Sequence, residues 1–497
     1  MEKKLQIQDF YIEKKLNKIN LYYKISNDWK LLIFDGMYNT FLINTNSDNF
    51  DGIIIEIDNV RKSYEIKTSI IGSINVFNYT SGENIYIGTD LDYLIRKGRI
   101  NKTYNSNKLY DYFALSYHAL DNETIYKGIN LIPKNTLIKV DHQIEMITDP
   151  SEKIYSNLDY DVHFDDLLGS LISFSKSTLD NTVSSKNLLL LSGGKDSLIG
   201  ALLLRHHANK ISTSTQGFNQ NTNDIISGAK RSNNLFKDSN HHEFFLENIK
   251  YDQNDFNQYG STLGGFGPFS SIAYYKYFRS LQEKGFDNYY FSCHFECLRK
   301  KIVSDDYFIE NNTTPKAVVN KFFNDKEYYS NNLDDLKSKI KDKYKIDPYY
   351  QFYFYDRNIQ GGYYKSLLSR KFGLRKITLS NDANFLNLNY NFIKQNETFT
   401  YDKILNELLR MNNIKKESVV FNNSSRSTFK DIPIDPKNDL RIIKRRYIDL
   451  LELNKNSLFK EMFDFSRIKE TLLNENYGDH DHWFLLRLFQ ILNYKNL

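Results

Sequence analysis

The sequence predicts a mixed protein of two domains, in which an α+β, sandwich-like domain precedes an α/β domain built on a parallel sheet. Three observations support this prediction. The chain has 497 residues, more than a single hydrophobic core usually organises. Residues 1–150 contain many short β-branched and aromatic segments, whereas strand-like and helical segments alternate from residue 165 onward.

In the first domain, strand-like segments follow one another with Gly, Asn and Asp between them, as in residues 30–43 and 51–60. Apolar residues recur at helical spacing only late, over residues 106–120. A last strand-like stretch follows at residues 128–147. Many strands with one late helix are typical of an α+β or sandwich fold.

The polar segment 151–164 predicts a linker, and residues 165–497 then form the second domain. Strand-like residues 187–191 are flanked by helical patterns, as expected for a parallel sheet covered by helices. From about residue 300 the helical spacing dominates, which predicts a helical C-terminal part. Residues 421–440 contain many Asn and Ser residues and two prolines, so they predict a mobile loop.

Composition excludes several classes of protein. Lys and Arg number 66 against 61 Asp and Glu, and this small excess excludes a strongly basic nucleic-acid-binding protein. No apolar run reaches the ~18 residues of a membrane span, and the first ten residues lack the apolar core of a secretory signal. The only cysteines, Cys293 and Cys297, exclude a disulfide framework and favour a reducing, cytoplasmic setting.

The strongest functional signal is a glycine turn between an apolar strand and a helix. Its residues are Leu191, Ser192, Gly193, Gly194, Lys195, Asp196 and Ser197. Adjacent glycines let the backbone approach a ligand that a Cβ would exclude, and backbone N–H groups, serine hydroxyls and a helix N-terminus together attract an anion. A carboxylate there would repel phosphate unless Asp196 holds Mg²⁺ between the phosphates. The spacing differs from that of a Walker A loop.

The segment SGGKDS at 192–197 resembles the pyrophosphatase loop, SGGxDS, of enzymes that split ATP into AMP and pyrophosphate. Nearly the whole chain resembles the asparagine synthetase family, which includes β-lactam synthetases and lasso-peptide cyclases. In that family a glutaminase-like domain, an Ntn-type sandwich, precedes the ATP-pyrophosphatase domain. Residues 72–95 and 107–137 resemble segments of the glutaminase-like domain, and residues 479–494 resemble the closing helix of the family.

The resemblance implies an AMP-forming amide synthetase that uses ATP and Mg²⁺ to adenylate a substrate carboxylate and join it to an amine. Glutamine hydrolysis in the family requires an N-terminal cysteine whose thiolate attacks the amide. Here Met1 is followed by Glu2 and the first cysteine is Cys293, so we expect the first domain to hydrolyse no glutamine. That domain would instead dock the substrate or serve as a scaffold for the second domain.

Residues 291–301 lie where the family has a serine- and glycine-rich acidic loop, although Cys293 replaces a family glycine. The resemblance implies that Ser292 contacts ATP and that Glu296 is a second Mg²⁺ ligand. His294 could accept a proton from the attacking amine, or it could be a structural, hydrogen-bonded residue. The pattern C-H-x-x-C, which ends at Cys297, has too few ligands for zinc, and its cysteines could pack as small hydrophobes.

Two further matches come from the resemblance. Residues 357–393 and the helix after them match family segments in chain order, and Lys403 takes the place of the catalytic lysine of the family. A fixed ammonium there would stabilise charge on the phosphorus and the acyl centre, but Lys403 could also be one of many solvated lysines. Thr215 and Gln216, after the second strand, lie where the family contacts adenine.

The leading hypothesis is therefore an ATP-dependent carbon–nitrogen ligase that acts on a small-molecule or peptide substrate, with the amine on that substrate or on a second one. A homodimer or a pathway partner stays open. One alternative is ATP-dependent transfer of sulfur or another group to a nucleotide or tRNA, but near-neutral charge argues against a nucleic-acid partner. A non-catalytic ATP-binding partner protein is the other alternative, which the altered loop 291–301 favours and the intact loop 192–197 disfavours.

Overall fold

The structure is a computed structural model that describes residues 4–497 with internal gaps. The residues outside the description are 16–17, 26–27, 33–39, 44–51, 70, 72–73, 115–121, 149–155, 181, 183–185, 218–219, 238, 266–271, 293–294, 296–297, 299–313, 344–365, 397–399, 420–435 and 479–480. The predicted site residues His294 and Glu296 therefore lie outside the described residues, as do Cys293, Cys297 and most of the predicted loop 421–440.

The described residues of the first region, 4–148, form two six-stranded sheets and two helices. Its elements are β1 Lys4–Gln6, β2 Asp9–Lys15, β3 Lys18–Ile25, β4 Asp28–Leu31, β5 Thr40–Ile43, β6 Ile53–Asp58, β7 Ser63–Thr68, β8 Phe77–Ser81, β9 Asn84–Gly88, α1 Leu91–Gly98, α2 Ser106–Ala114, β10 Ile129–Leu131, β11 Thr136–Val140 and β12 Ile144–Thr148. The strand orders are β1–β5–β6–β7–β11–β12 and β10–β8–β9–β2–β3–β4. Alternate residues of both sheets are buried in one apolar cluster, which includes Phe10, Ile12, Phe41 and Ile55.

The second region, residues 156–497, is organised around a five-stranded parallel sheet. Its first elements are α3 Phe164–Asp180, β13 Asn187–Leu191, α4 Lys195–Leu204, β14 Ile211–Gly217, α5 Asn223–Leu235, β15 His241–Phe245, α6 Gln253–Thr262, α7 Ala273–Glu283, β16 Asn288–Phe291 and, further along, β17 Arg375–Thr378. The strand order is β15–β14–β13–β16–β17, and every pair is parallel. Along the chain, β13 is therefore followed first by the strands on one side of it, β14 and β15, and then by the strands on its other side, β16 and β17.

The C-terminal part of the second region is mainly helical, as predicted. Its helices are α8 Lys316–Phe322, α9 Lys326–Lys343, α10 Ala383–Asn396, α11 Tyr401–Met411, α12 Pro436–Leu453, α13 Leu458–Met462, α14 Phe465–Asn474 and α15 Asp481–Lys495, and residues 366–371 are also helical. The exception to the prediction is β17, which completes the parallel sheet. None of the described helices is both long enough and apolar enough to cross a membrane.

The two regions share a continuous seam. The Tyr126 hydroxyl donates to the Gly264 carbonyl oxygen at 2.6 Å, and the Tyr104 hydroxyl donates to the Ile491 carbonyl oxygen at 3.2 Å. Phe113 of α2 packs against Phe463, with ring centroids 4.8 Å apart. The largest apolar cluster accordingly contains residues of both regions. The overall architecture is thus mixed α/β with several sheets, one of them parallel.

Candidate functional site

The glycine turn lies at the carboxyl edge of the parallel sheet, at its centre. The predicted order of strand, turn and helix is observed, because β13 ends at Leu191 and α4 begins at Lys195. The neighbours of β13 are β14, which the chain builds next, and β16, to which it returns after β15. Ligands of open α/β sheets bind outside the carboxyl ends of strands where the strand order reverses in this way. The turn Ser192–Gly194 occupies that position.

Hydrogen bonds inside the turn fix its shape. The Ser192 N–H donates to Ser197 Oγ at 3.1 Å, and Ser197 Oγ donates to the Gly194 carbonyl oxygen at 2.9 Å. The Gly194 N–H donates to Ser192 Oγ at 3.2 Å, and the Gly193 N–H donates to Asp224 Oδ1 at 2.8 Å. Gly194 is the N-cap of α4, and no side chain caps the helix there. The serine hydroxyls therefore stabilise the turn itself, while the N-cap position of α4, a glycine, provides no side-chain acceptor for the first N–H groups of the helix.

A buried arginine lies behind the turn. Arg231 of α5 is 1% exposed, and its guanidinium donates to the carbonyl oxygens of Ser192, Gly193 (2.9 Å) and Gly194 (2.7 Å). Burial lowers the pKa of this guanidinium to about 10, so it stays charged at neutral pH. Because C=O and N–H point in opposite directions across a planar peptide, a Gly194 carbonyl aimed at Arg231 turns the Lys195 N–H away from it. The arginine thus orients the start of α4.

The same arginine connects the turn to a distant part of the chain. Its Nε donates to the Val419 carbonyl oxygen at 2.9 Å, and Asn234, also on α5, donates to the Ser418 carbonyl oxygen at 2.7 Å. Sequence analysis missed Arg231, because no motif marks a single arginine in the helix that follows β14. Only its contacts across the fold identify it.

Helix α11 contacts the turn through its first two residues. The Tyr401 hydroxyl donates to Asp196 Oδ1 at 2.6 Å. Lys195 Nζ lies 3.2 Å from Asp402 Oδ1, with side chains 48% and 69% exposed, so this ion pair contributes little stability. The structure therefore brings Asp196 and Lys195 together with the first two residues of α11.

Lys403, the predicted catalytic lysine, follows these two residues but lies elsewhere. Its ammonium is 4.2 Å from the centroid of the Phe164 ring and 5.6 Å from that of Phe392. Its side chain thus covers two aromatic rings, at the start of α3 and on α10. The catalytic role of Lys403 stays a prediction.

Three other predicted residues lie at the interface between sheet and helices. Thr215 and Gln216 are inside β14 rather than after it. A Cβ at Gly228 of α5 would collide with Thr215 Oγ1 and would lie 2.8 Å from its Cγ2. Ser292 follows β16 directly, and a Cβ at Gly200 of α4 would collide with its Oγ. The two glycines thus let α4 and α5 lie close to the sheet, and contacts of these three residues with ATP stay predictions.

The described residues contain no group of three or more His, Cys, Asp or Glu side chains that could hold a metal ion. Mg²⁺ that is bound to a nucleotide needs fewer protein ligands, because one or two carboxylates together with phosphate oxygens and water complete its coordination shell. Asp196 in the first turn of α4 is half-buried and fits this kind of site. The residues present thus fit Mg²⁺ held mainly by a nucleotide.

No protein-family model matches the chain, and no curated protein matches it either. Function is therefore inferred here from the geometry around β13 and from the resemblance of residues 192–197 to a pyrophosphatase loop.

Proposed function

We propose that the protein is an ATP-dependent carbon–nitrogen ligase of the asparagine synthetase type, which forms AMP and pyrophosphate. One observation carries this proposal most: the SGGKDS turn follows the central strand of a parallel sheet at the point where strand order reverses. In this proposal the first region is the glutaminase-like domain, and the second region is the ATP-pyrophosphatase domain.

Three features of the turn support binding of phosphate groups. The N-terminus of α4 has a partial positive charge and no side-chain cap. Gly194 is exposed and has no Cβ that would keep a phosphate away. The buried guanidinium of Arg231 adds a full positive charge behind the same backbone. In the proposal these groups hold the β- and γ-phosphates, which leave as pyrophosphate.

The proposed reaction has two steps. An oxygen of the substrate carboxylate attacks the α-phosphorus, a P–O bond forms, and the bond to pyrophosphate breaks. The amine nitrogen then attacks the acyl carbon, AMP leaves with the bridging oxygen, and the nitrogen loses a proton. Mg²⁺, when bound at Asp196, neutralises charge on the leaving pyrophosphate.

Roles for the remaining residues follow from the resemblance. Lys403 would stabilise the charge that develops at the phosphorus and the acyl carbon. To do so it must leave the Phe164 ring, and a contact of this kind at an exposed site costs only about 0.5–1 kcal/mol to break. His294 would take the amine proton and Glu296 would join Asp196 at the metal.

The substrate in this proposal is a small molecule or a peptide that carries a carboxylate. Its amine partner lies on the same substrate or on a second one, because the first region has no cysteine that could release ammonia from glutamine. The seam formed by Tyr104, Tyr126 and Phe113 supports a scaffold role for this region.

Exchange of labelled pyrophosphate into ATP tests the proposal, with amino acids, dicarboxylic acids and short peptides as candidate carboxylates. We expect Asp196→Asn to abolish the exchange, because the carboxylate is proposed to hold the metal on the leaving group. Asp402→Asn is the matched control, since it changes an exposed carboxylate next to the same turn and should leave exchange intact. Wild-type exchange by folded Asp196→Asn, or release of ADP in place of AMP, would contradict the proposal.

A further inference from the structure

A cavity of about 590 Å³ lies on the seam between the two regions. Strands β2–β4 and helix α1 of the first region line one side, and α6 with residues 366–371 of the second region lines the other. None of the lining residues belongs to the turn at 192–197, so this cavity is distinct from the candidate active site. Its volume is in the range of small-molecule sites.

The carboxylates of this cavity already have donors. Asp90 caps α1, accepting the Tyr93 N–H at 3.0 Å, and its other oxygen lies 3.3 Å from Lys24 Nζ. Asp92 accepts from Arg96 at 2.9 Å and from the Tyr494 hydroxyl at 3.0 Å. These acceptors are therefore occupied by the protein itself.

Asp9, the third carboxylate of the cavity wall, is also enclosed by donors. The Thr89 hydroxyl donates to it at 3.0 Å, and it lies 3.8 Å from Lys24 Nζ and 3.2 Å from Arg370 Nη2. The three carboxylates thus leave little acceptor capacity for a cationic ligand.

Donors, by contrast, are left over on the opposite wall. Asn257 Oδ1 accepts from the amides of Gln253 (3.0 Å) and Asn493 (2.8 Å). Gln258 Oε1 accepts from the Tyr275 hydroxyl at 2.8 Å. Since both amide oxygens already accept hydrogen bonds, Asn257 and Gln258 can offer their NH₂ groups to a ligand.

Lys371 is the cation of this wall that lacks a close partner. It is half-buried, and its ammonium forms no ion pair within 4.0 Å with any carboxylate among the described residues. Burial lowers the pKa of Lys371 and the nearby positive charge of Lys24 lowers it further, whereas the carboxylates of Asp90, Asp9 and Asp92 offset part of this shift. An anion beside this ammonium would relieve both effects.

We propose that the cavity binds a small organic anion, whose carboxylate or phosphate group is held by Lys371 and the amide donors of Asn257 and Gln258. Of the four cationic side chains that line the cavity, Lys24 and Arg96 pair with its acidic side chains, whereas Lys371 forms no such pair and can bind a negatively charged ligand. Trp29 and Tyr93, stacked with centroids 3.8 Å apart, provide an aromatic surface for the organic part of the ligand. This proposal does not depend on the proposed ligase activity.

Fluorescence of Trp29 tests the proposal at the cavity itself. The chain has two tryptophans, so Trp483→Phe leaves Trp29 as the only one. Phenylacetate, phenyl phosphate and the neutral amide phenylacetamide would be titrated into this full-length variant at millimolar concentrations. We expect saturable changes in Trp29 fluorescence with one or both anions and no change with phenylacetamide. The anion that binds more tightly shows whether the site prefers a carboxylate or a phosphate group.

Substitutions of Lys371 test whether its ammonium group binds the anion. Lys371→Met keeps the apolar stem but removes the charge, and it should weaken anion binding about 10- to 100-fold, as expected for a lost charge-assisted hydrogen bond. Lys371→Arg should bind within a few-fold of the parent, and Lys139→Met, at an exposed position of β11, should bind unchanged. Equal binding of phenylacetamide, no response to either anion, or full affinity in a folded Lys371→Met variant would overturn the proposal.

Discussion

In the first region of the chain the buried pair Asp9 and Lys24 joins two strands at the seam, whereas in the second region buried Arg231 holds one turn of backbone. Asp9 and Lys24 connect β2 and β3 with each other and with Arg370 across the seam. Arg231, Asp224 and Tyr401 instead come from two helices that meet at residues 192–197. The same kinds of side chain thus have different targets in the two regions.

This difference is the reason why the proposed chemistry is assigned to the second region. In the second region a buried cation, an uncapped helix and a strand end meet at a point that the parallel sheet leaves open. In the first region the two sheets close on each other through an apolar cluster, which leaves their common face inaccessible to substrate. The first region therefore contributes a scaffold and one wall of the seam cavity, whereas the candidate active site is built by the second region.

The largest effect that we expect is on turnover in the second region. Lys403→Ala should reduce AMP formation about 10²–10³-fold, or ~3–4 kcal/mol, if its ammonium reaches the charge that develops in the transition state. ATP affinity, measured by calorimetry, should stay nearly unchanged. Lys403→Arg should be nearly as impaired, because a planar guanidinium cannot replace a compact ammonium. Near-normal turnover in Lys403→Ala would show that this lysine only covers Phe164.

The next largest effect concerns the support of the turn. Arg231→Met removes the donors to four carbonyl groups, those of residues 192–194 and of Val419, and we expect the free energy of unfolding to fall by about 3 kcal/mol. Urea titration followed by circular dichroism measures this change. Arg279→Met is the matched control, because Arg279 is exposed on α7 and its loss should cost less than about 0.5 kcal/mol. Equal losses of unfolding free energy in the two variants would contradict the claim that buried Arg231 stabilises the fold more than exposed Arg279.

We expect a smaller change in stability from a substitution at the contact between α5 and the parallel sheet. Gly228→Ala places a Cβ against the buried Thr215 side chain and should lower the free energy of unfolding by about 1–3 kcal/mol. Gly169→Ala, on α3, meets no atom within 4 Å and should raise it by about 0.5–1 kcal/mol through helix propensity. Thermal unfolding of both variants measures the difference. Similar melting temperatures would show that α5 does not lie close against β14.

For the first region we expect no activity towards glutamine. The two cysteines of the chain lie at 293 and 297, so this region supplies no thiolate for amide attack. Incubation of the pure protein with glutamine, with and without ATP and Mg²⁺, should release no glutamate. Detectable turnover would make the first region a catalytic domain and would contradict its proposed role as a scaffold.

Local signals made the centre of the second region predictable. An apolar strand, two glycines and a helical pattern are contiguous in the sequence, so residues 187–204 could be assigned without any knowledge of the rest of the chain. Alternating strand and helix patterns likewise predicted a parallel sheet. Strand β17 was missed because it has only four residues between helical segments, and its place follows from pairing with β16.

Features that depend on distant partners could not be predicted. Arg231 contacts carbonyl groups 37 to 39 residues earlier in the chain, and no spacing rule connects them. Successive residues of a helix point in directions about 100° apart, so the position of α11 in the chain could not predict that Tyr401 and Asp402 contact the turn. The seam cavity is lined by residues of both regions. No local sequence pattern in either region could predict it, because it forms only where the two regions pack together.

Calorimetric titration with Mg²⁺ and α,β-methylene-ATP, an analogue that cannot be cleaved between its α- and β-phosphates, tests most directly whether residues 192–197 bind a nucleotide. We predict one saturable site in the wild-type protein and in Asp402→Asn, and affinity lowered about tenfold or more in Asp196→Asn. Absence of binding to the wild-type protein, or equal affinity in Asp196→Asn, would contradict the assignment of this turn as the phosphate site.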